Sequence, residues 1–180
     1  MSARYPRPER ERRFAVAAPP DLAGAVESHL VEDRYVVGTR LRLRRMTPVG
    51  GGPARHKLGH KVRPDQLDSG LVLHTTVPLT AAEYDLLAVL PGVDLRKVRH
   101  VLVESGRRLA VDVFEGRLQG LVLLEVELDE GTDGGAFVPP AFAGAEVTGD
   151  VRYTGAGLAF ATAAQVSALL NARAPDVPPG

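Results

Sequence analysis

Glu9-Arg10-Glu11-Arg12-Arg13-Phe14-Ala15-Val16 is the stretch on which the fold turns. Read as a β-strand, its two-residue period sets Glu9, Glu11 and Arg13 on one face. The same pitch returns along most of the chain. Thr39 to Arg45 sets Arg40, Arg42 and Arg44 against Leu41 and Leu43, and Leu121 to Leu128 sets Glu125 and Glu127 against Val122, Leu124, Val126 and Leu128. His56 to Val62, Leu71 to Val77, Arg96 to Val103 and Leu109 to Phe114 read as further strands. Gly50-Gly51-Gly52-Pro53 and Ser105-Gly106-Arg107-Arg108 supply turns between them. The chain is therefore mainly β (α+β), built of antiparallel strands with one unusually charged face.

Helices are few. Thr80-Ala81-Ala82-Glu83 is a capping box leading into an apolar run that Pro91-Gly92 stops. A second helix is expected from about Thr162 to Arg173, followed by a frayed tail, and a short third one within residues 17–30. Residues 1–160 form the expected main domain, and 161–180 the C-terminal helix and tail.

The chain has 180 residues, 44% of them hydrophobic and 24% charged, which is the balance of a globular domain. The absence of Cys removes disulfides, thiolate zinc sites and a cysteine nucleophile. No apolar run reaches the ~18–20 residues of a membrane span, and Met1 to Arg13 has the charge density of no secretory leader. The expectation is a cytoplasmic protein with no membrane partner. Its 22 basic and 22 acidic residues cancel, but residues 1–63 carry 14 basic and 6 acidic side chains, and residues 64–180 carry 8 and 16. Within one domain these halves compensate, and with 5% aromatic residues the chain is poor in stacking platforms, so nucleic acid is not expected as a partner. Basic positions are filled by 19 Arg and three Lys, at 57, 61 and 97. Lysine, unlike arginine, can shed a proton near neutral pH.

Alternation alone leaves two readings of the charged face open. It is a solvated outer surface, or the inner wall of a closed barrel wide enough for a ligand. Pairing at i,i+2 favours the second. Glu9/Glu11 and Glu125/Glu127 repel on one face unless a divalent cation lies between them. Arg42/Arg44 and Lys97/Arg99 present forks and ammonium groups suited to phosphate oxygens. Carboxylates and bases in one domain suit a magnesium–polyphosphate ligand. His56 and His60 share a spacing used for metals on helices, but they fall on a strand.

The N-terminal Glu9-Arg10-Glu11-Arg12-Arg13, then Leu41-Arg42-Leu43-Arg44, Gly59-His60-Lys61, Lys97-Val98-Arg99-His100, Val111 to Gly116, Leu121 to Leu128 and Gly144 to Tyr153 together resemble the CYTH superfamily, the triphosphate tunnel metalloenzymes. The likeness runs from residue 9 to about 159 and is nearest to single-domain bacterial members that hydrolyse inorganic triphosphate. It implies an eight-stranded antiparallel tunnel with a charged lumen. Glu9, Glu11, Glu125 and Glu127 would hold Mg²⁺ or Mn²⁺, with Asp112, Glu146 and Arg152 in support. Arg42, Arg44, Lys97, Arg99 and Arg13 would bind the triphosphate, and Lys61 would activate the attacking water. Two departures stand out: Arg13 where the family motif ends in Lys, and no carboxylate in Leu71 to Val77, where His74 or Thr76 could fill the space. The function expected is metal-dependent hydrolysis of inorganic triphosphate. A class IV adenylate cyclase or thiamine triphosphatase acting on a nucleoside or thiamine triphosphate, and a non-catalytic polyphosphate-binding protein, are the alternatives. A homodimer is left open.

Overall fold

The computed structural model describes residues 7–62, 71–128 and 137–172. Eight strands close into an antiparallel barrel: β1 (Arg7–Val16), β2 (Glu27–Val36), β3 (Leu41–Pro48), β4 (Arg55–Val62), β5 (Leu71–Leu79), β6 (Gly92–Glu104), β7 (Arg107–Phe114) and β8 (Val122–Leu128). Their order around the wall is β1-β5-β4-β3-β2-β6-β7-β8, with β8 returning to β1. Three helices flank the barrel: α1 (Ala81–Ala88), α2 (Gly155–Phe160) and α3 (Ala163–Asn171). Among the described residues no helix is long and apolar enough to cross a membrane.

Local chemistry accounts for most boundaries. Thr80 and Glu83 exchange the two hydrogen bonds of a capping box at α1, and Thr162 and Gln165 do the same at α3. Ser105 (φ 51°) and Gly106 (φ 76°) both lie in the left-handed region, the geometry a two-residue hairpin needs between β6 and β7. One expectation is overturned. Residues 17–30 contain no helix; the chain is irregular to Val26 and then enters β2, which pairs with β3 and β6 along its length. The frayed tail from Pro175 to Gly180 lies outside the described residues.

The barrel has a seam. β5 pairs with β1 only over Arg7–Arg10, whereas β8 pairs with it from Arg10 to Val16. Past Arg10 the free edge of β1 is taken by the segment around Gly144. Gly144 N–H donates to the Ala15 carbonyl (2.9 Å), Ala15 N–H to Ala145 (2.9 Å) and Val147 N–H to Arg13 (2.8 Å). A Cβ on Gly144 would stand 2.5 Å from the Ala15 oxygen, so this close approach requires glycine.

Two apolar clusters fix what the charges can do. Outside the barrel, Phe14, Val16, Leu109, Val111, Val122, Leu124 and Val126 are buried beneath Phe137. At one end, Ala15, Leu95, Phe114 and Leu123 merge with Tyr153, Leu158, Val166 and Leu169 from the C-terminal helical region. Apolar packing therefore fills that end of the interior and leaves the rest to the polar side chains.

Candidate functional site

The charged face points inward. Lys61 on β4 lies 3.4 Å from Glu11 on β1, although β5 separates those strands in the wall. Arg99 on β6 pairs with Glu125 on β8 across the intervening β7. Side chains from strands that are not neighbours meet in this way through the interior. Arg44 and Lys97 are each only 6% exposed, which excludes the solvated-surface reading for them.

The lumen has an acidic and a basic side. On β1 and β8, Glu9, Glu11, Glu125 and Glu127 share the inner face, and Glu11 lies directly opposite Glu127 in the register. Arg13 stands among them, 2.8 Å from Glu11 and 3.1 Å from Glu125. His74 Nδ1 is 2.9 Å from Glu9, and Thr76 Oγ1 is 3.1 Å from the far nitrogen of the same ring. Burial would raise the Glu9 carboxyl, but His74 and Lys61 more than offset it and hold it below the ordinary value. Burial opposes the charge of Glu125 too, and Arg99 with Arg13 holds its carboxyl well below the usual range.

On the other side, Asp33 of β2 receives two hydrogen bonds of 2.6 Å each from Arg44, with Arg42 at 3.6 Å. Despite full burial, Arg44 and Arg42 keep the Asp33 carboxyl far below the usual range. Asp112 plays the same part on β7, bonded to Arg99 at 2.7 and 2.6 Å and to Lys97. Burial pulls the Lys97 ammonium below its ordinary value, against the attraction of Asp112. Lys57 is treated differently. It faces Arg44 directly across the β3–β4 ladder and has no carboxylate partner among the described residues. Burial, then Arg44, Arg42 and Arg99, push its pKa down to about 8.

The lumen thus brings together Glu9, Glu11, Arg13, Arg42, Arg44, Lys61, Lys97, Arg99, Asp112, Glu125 and, toward its exposed rim, Glu127. Two sequence expectations need correction. Glu146 lies on the outer face, bound to Arg12 at 2.8 and 2.6 Å and to Thr148, because Arg12 has the opposite parity to Glu11 and Arg13. Arg152 is an exposed surface residue paired with Asp150 at 2.5 Å, where it sits beside a short 3₁₀ turn. Arg42, Arg44 and Arg99 crowd around Lys57, while Lys61 has Glu9 and Glu11 as neighbours. Sequence reasoning missed Asp33 entirely, because β2 itself was missed. His56 stacks on Tyr84 of α1 at 4.8 Å between ring centroids, on the strand parity opposite to Lys57, and so takes no part in the lumen.

The donor set fits a divalent cation only in one form. Among the described residues no three acidic or imidazole groups are gathered as a ready-made cage. Glu11 and Glu127, however, are like charges opposed across a ladder, and Glu127 has no basic partner among the described residues. Such a pair is unfavourable without a cation between its members. Two carboxylates completed by phosphate oxygens and water suit Mg²⁺ or Mn²⁺ better than an all-protein cage.

A 56-residue stretch of the chain is 43% identical to an inorganic triphosphatase of Nitrosomonas europaea, covering 31% of this chain and 37% of that protein. Two crystal structures of NE1496, one described as an inorganic triphosphatase and one as a hypothetical protein, have the same architecture. They match with a TM-score of 0.58 each, at 26% and 27% identity, over 86% and 85% of this chain and 95% and 98% of theirs. The barrel is shared. No family model matches the chain.

Proposed function

We propose that this chain binds inorganic triphosphate in its barrel lumen together with Mg²⁺ or Mn²⁺ and hydrolyses a terminal phosphoryl group. The observation that carries the reading is the imbalance of the basic wall, where among the described residues Asp33 is bound by Arg42 and Arg44 and leaves Lys57 without a carboxylate partner, opposite an acidic wall of Glu9, Glu11 and Glu127. The match to NE1496 over most of both chains supports it, as does the resemblance to the triphosphate tunnel metalloenzymes, to which we propose the chain belongs.

Glu11 and Glu127, with Glu9, would hold the cation. Once bound, it supplies neutralisation of phosphate charge and Lewis-acid polarisation of the P–O bonds. The chain's own residues then hold the anion. Arg42, Arg44 and Arg99 offer planar donor forks matched to phosphate oxygens, and among the described residues the Arg42 Nε and one Arg13 terminal nitrogen lack a hydrogen-bond partner. Asp33 and Asp112 fix the forks of Arg44 and Arg99, so that little reorganisation remains when charge develops on the phosphate. Lys61, between the acidic wall and the anion, is the residue we place at the attacking water. Catalysis of this kind rests on positioning and charge, with no covalent intermediate on the protein.

A second reading, a polyphosphate-binding protein without turnover, is favoured by the Lys61, Arg13 and Arg99 cations that already occupy Glu9, Glu11 and Glu125. The nucleotide cyclase and thiamine triphosphatase readings find less support, since the lumen-facing rings of Tyr35 and Phe114 are packed into the apolar end. Phosphate release from tripolyphosphate, ATP and thiamine triphosphate with each metal separates these. Tripolyphosphate should be turned over fastest; binding of all three without release would favour the second reading.

A further inference from the structure

We infer that Lys57 is a phosphate-holding residue of this lumen, a cation left without a carboxylate partner so that a phosphoryl oxygen of the bound anion takes that place. The inference rests on the triphosphate reading above and adds to it a residue to which the family resemblance gave no role.

Strand parity places Lys57, Gly59 and Lys61 on the inner face of β4. Directly across Lys57 stand Arg44 on β3 and Pro78 on β5, and neither side chain can accept a hydrogen bond. Asp33, the nearest carboxylate on that wall, already receives both hydrogen bonds of the Arg44 fork. On its own strand Lys57 is flanked by Arg55, which reaches His29 at 3.0 Å, and by Lys61, which turns to Glu9 and Glu11. From β6 it feels Arg99, whose fork is committed to Asp112 and Glu125. Among the described residues, the charged groups that act on Lys57 are thus the cations Arg44, Arg42 and Arg99 and the one carboxylate of Asp33. Gly59 sharpens the crowding: a Cβ there would stand 3.3 Å from an Arg42 terminal nitrogen, so the missing side chain lets that guanidinium lie over β4 beside Lys57.

Like charges directly opposed on a ladder are unfavourable, and a half-buried cation without an acceptor is more so. The arrangement becomes favourable when a multivalent oxyanion enters, since one phosphate group can accept from Lys57 and from the Arg42 fork together. Lys57 also titrates where this matters. Its pKa of about 8 leaves it mostly charged at neutral pH, and mild alkali removes the charge.

The test is calorimetric titration of the full chain with inorganic triphosphate, without added divalent metal. Lys57→Gln should weaken binding by about 10- to 100-fold, the worth of one charge-assisted hydrogen bond. Wild-type affinity should fall as pH rises through about 8, and Lys57→Arg, which cannot lose its charge, should keep its affinity across that range. Lys57→Gln binding as tightly as wild type while Arg42→Gln binds weakly would overturn the role of Lys57 and leave the triphosphate reading standing. A wild-type chain that binds triphosphate neither alone nor in a repeat with added Mg²⁺ or Mn²⁺ would overturn both.

Discussion

Asp33 orders the arginines of the basic wall. It neutralises Arg44 at 2.6 Å and Arg42 at 3.6 Å while only 2% exposed. Asp33→Asn keeps the shape but leaves two arginines buried without a counter-charge, so urea unfolding should show a loss of about 3–5 kcal/mol. A loss below about 1 kcal/mol would mean that water already screens the pair. Because the folded Asp33 carboxyl lies far below its unfolded value of about 3.9, its contribution is complete above that pH and fades as pH falls below it. Lys57 has the reverse sign. An unfolded lysine keeps its proton to about pH 10.4, whereas the folded one loses it near 8, so this site opposes folding at neutral pH and the chain gains stability as pH rises between those values. Lys57→Met should therefore raise the melting temperature at pH 7 and weaken anion binding; a lower melting temperature would show that Lys57 has a structural partner. The pitch of Lys57 was readable beforehand, but its lack of an acceptor was not, since that depends on Pro78 and on Asp33 being spent on Arg44.

At the level of elements, legibility followed the strength of the local signal. The capping box at Thr80, the helix start near Thr162 and the Ser105-Gly106 turn are sequence-local chemistry, and each appears where it was expected. β2 gave no such signal. Its inner face runs His29, Val31, Asp33, Tyr35 and its outer face Leu30, Glu32, Arg34, so both faces mix polar and apolar residues and no period-2 hydrophobic pattern survives. The segment from Gly144 to Val147 was visible as a motif, but its work is at the seam, where it hydrogen-bonds the β1 edge that β5 abandons. Glu146, expected in support of the metal site, is held by Arg12 on the outer face instead. Gly144→Ala should cost about 1–3 kcal/mol in thermal or chemical unfolding, because a methyl group 2.5 Å from the Ala15 carbonyl forces the seam apart. Unchanged stability would show that the segment shifts freely and does not fasten the seam.

Across the whole molecule, the charge split along the chain does not become a split across space. The basic stretch to position 63, with 14 basic and 6 acidic residues, gives the lumen Arg42, Arg44, Lys57 and Lys61 but also Glu9, Glu11 and Asp33, and the acidic remainder gives Asp112, Glu125 and Glu127 but also Lys97 and Arg99. Alternation showed that the two faces differ but not which one faces inward; closure of β8 onto β1 settles that, and closure is a long-range property no local pattern encodes. Lysine at the position of Arg13 would make fewer fixed contacts than the fork that now joins Glu11 to Glu125. That departure ties the acidic wall together and makes Glu127 the carboxylate most open to a metal. The most direct test of the account is the rate of phosphate release from tripolyphosphate with Mg²⁺ or Mn²⁺ in wild type, Glu127→Gln and the surface variant Arg152→Gln. Wild type and Arg152→Gln should turn over alike, and Glu127→Gln should fall by about 10² or more, the scale of losing a preorganised charge at the reacting group. Full activity in Glu127→Gln would contradict the metal role of Glu127, and none in wild type would contradict a triphosphate-hydrolysing lumen.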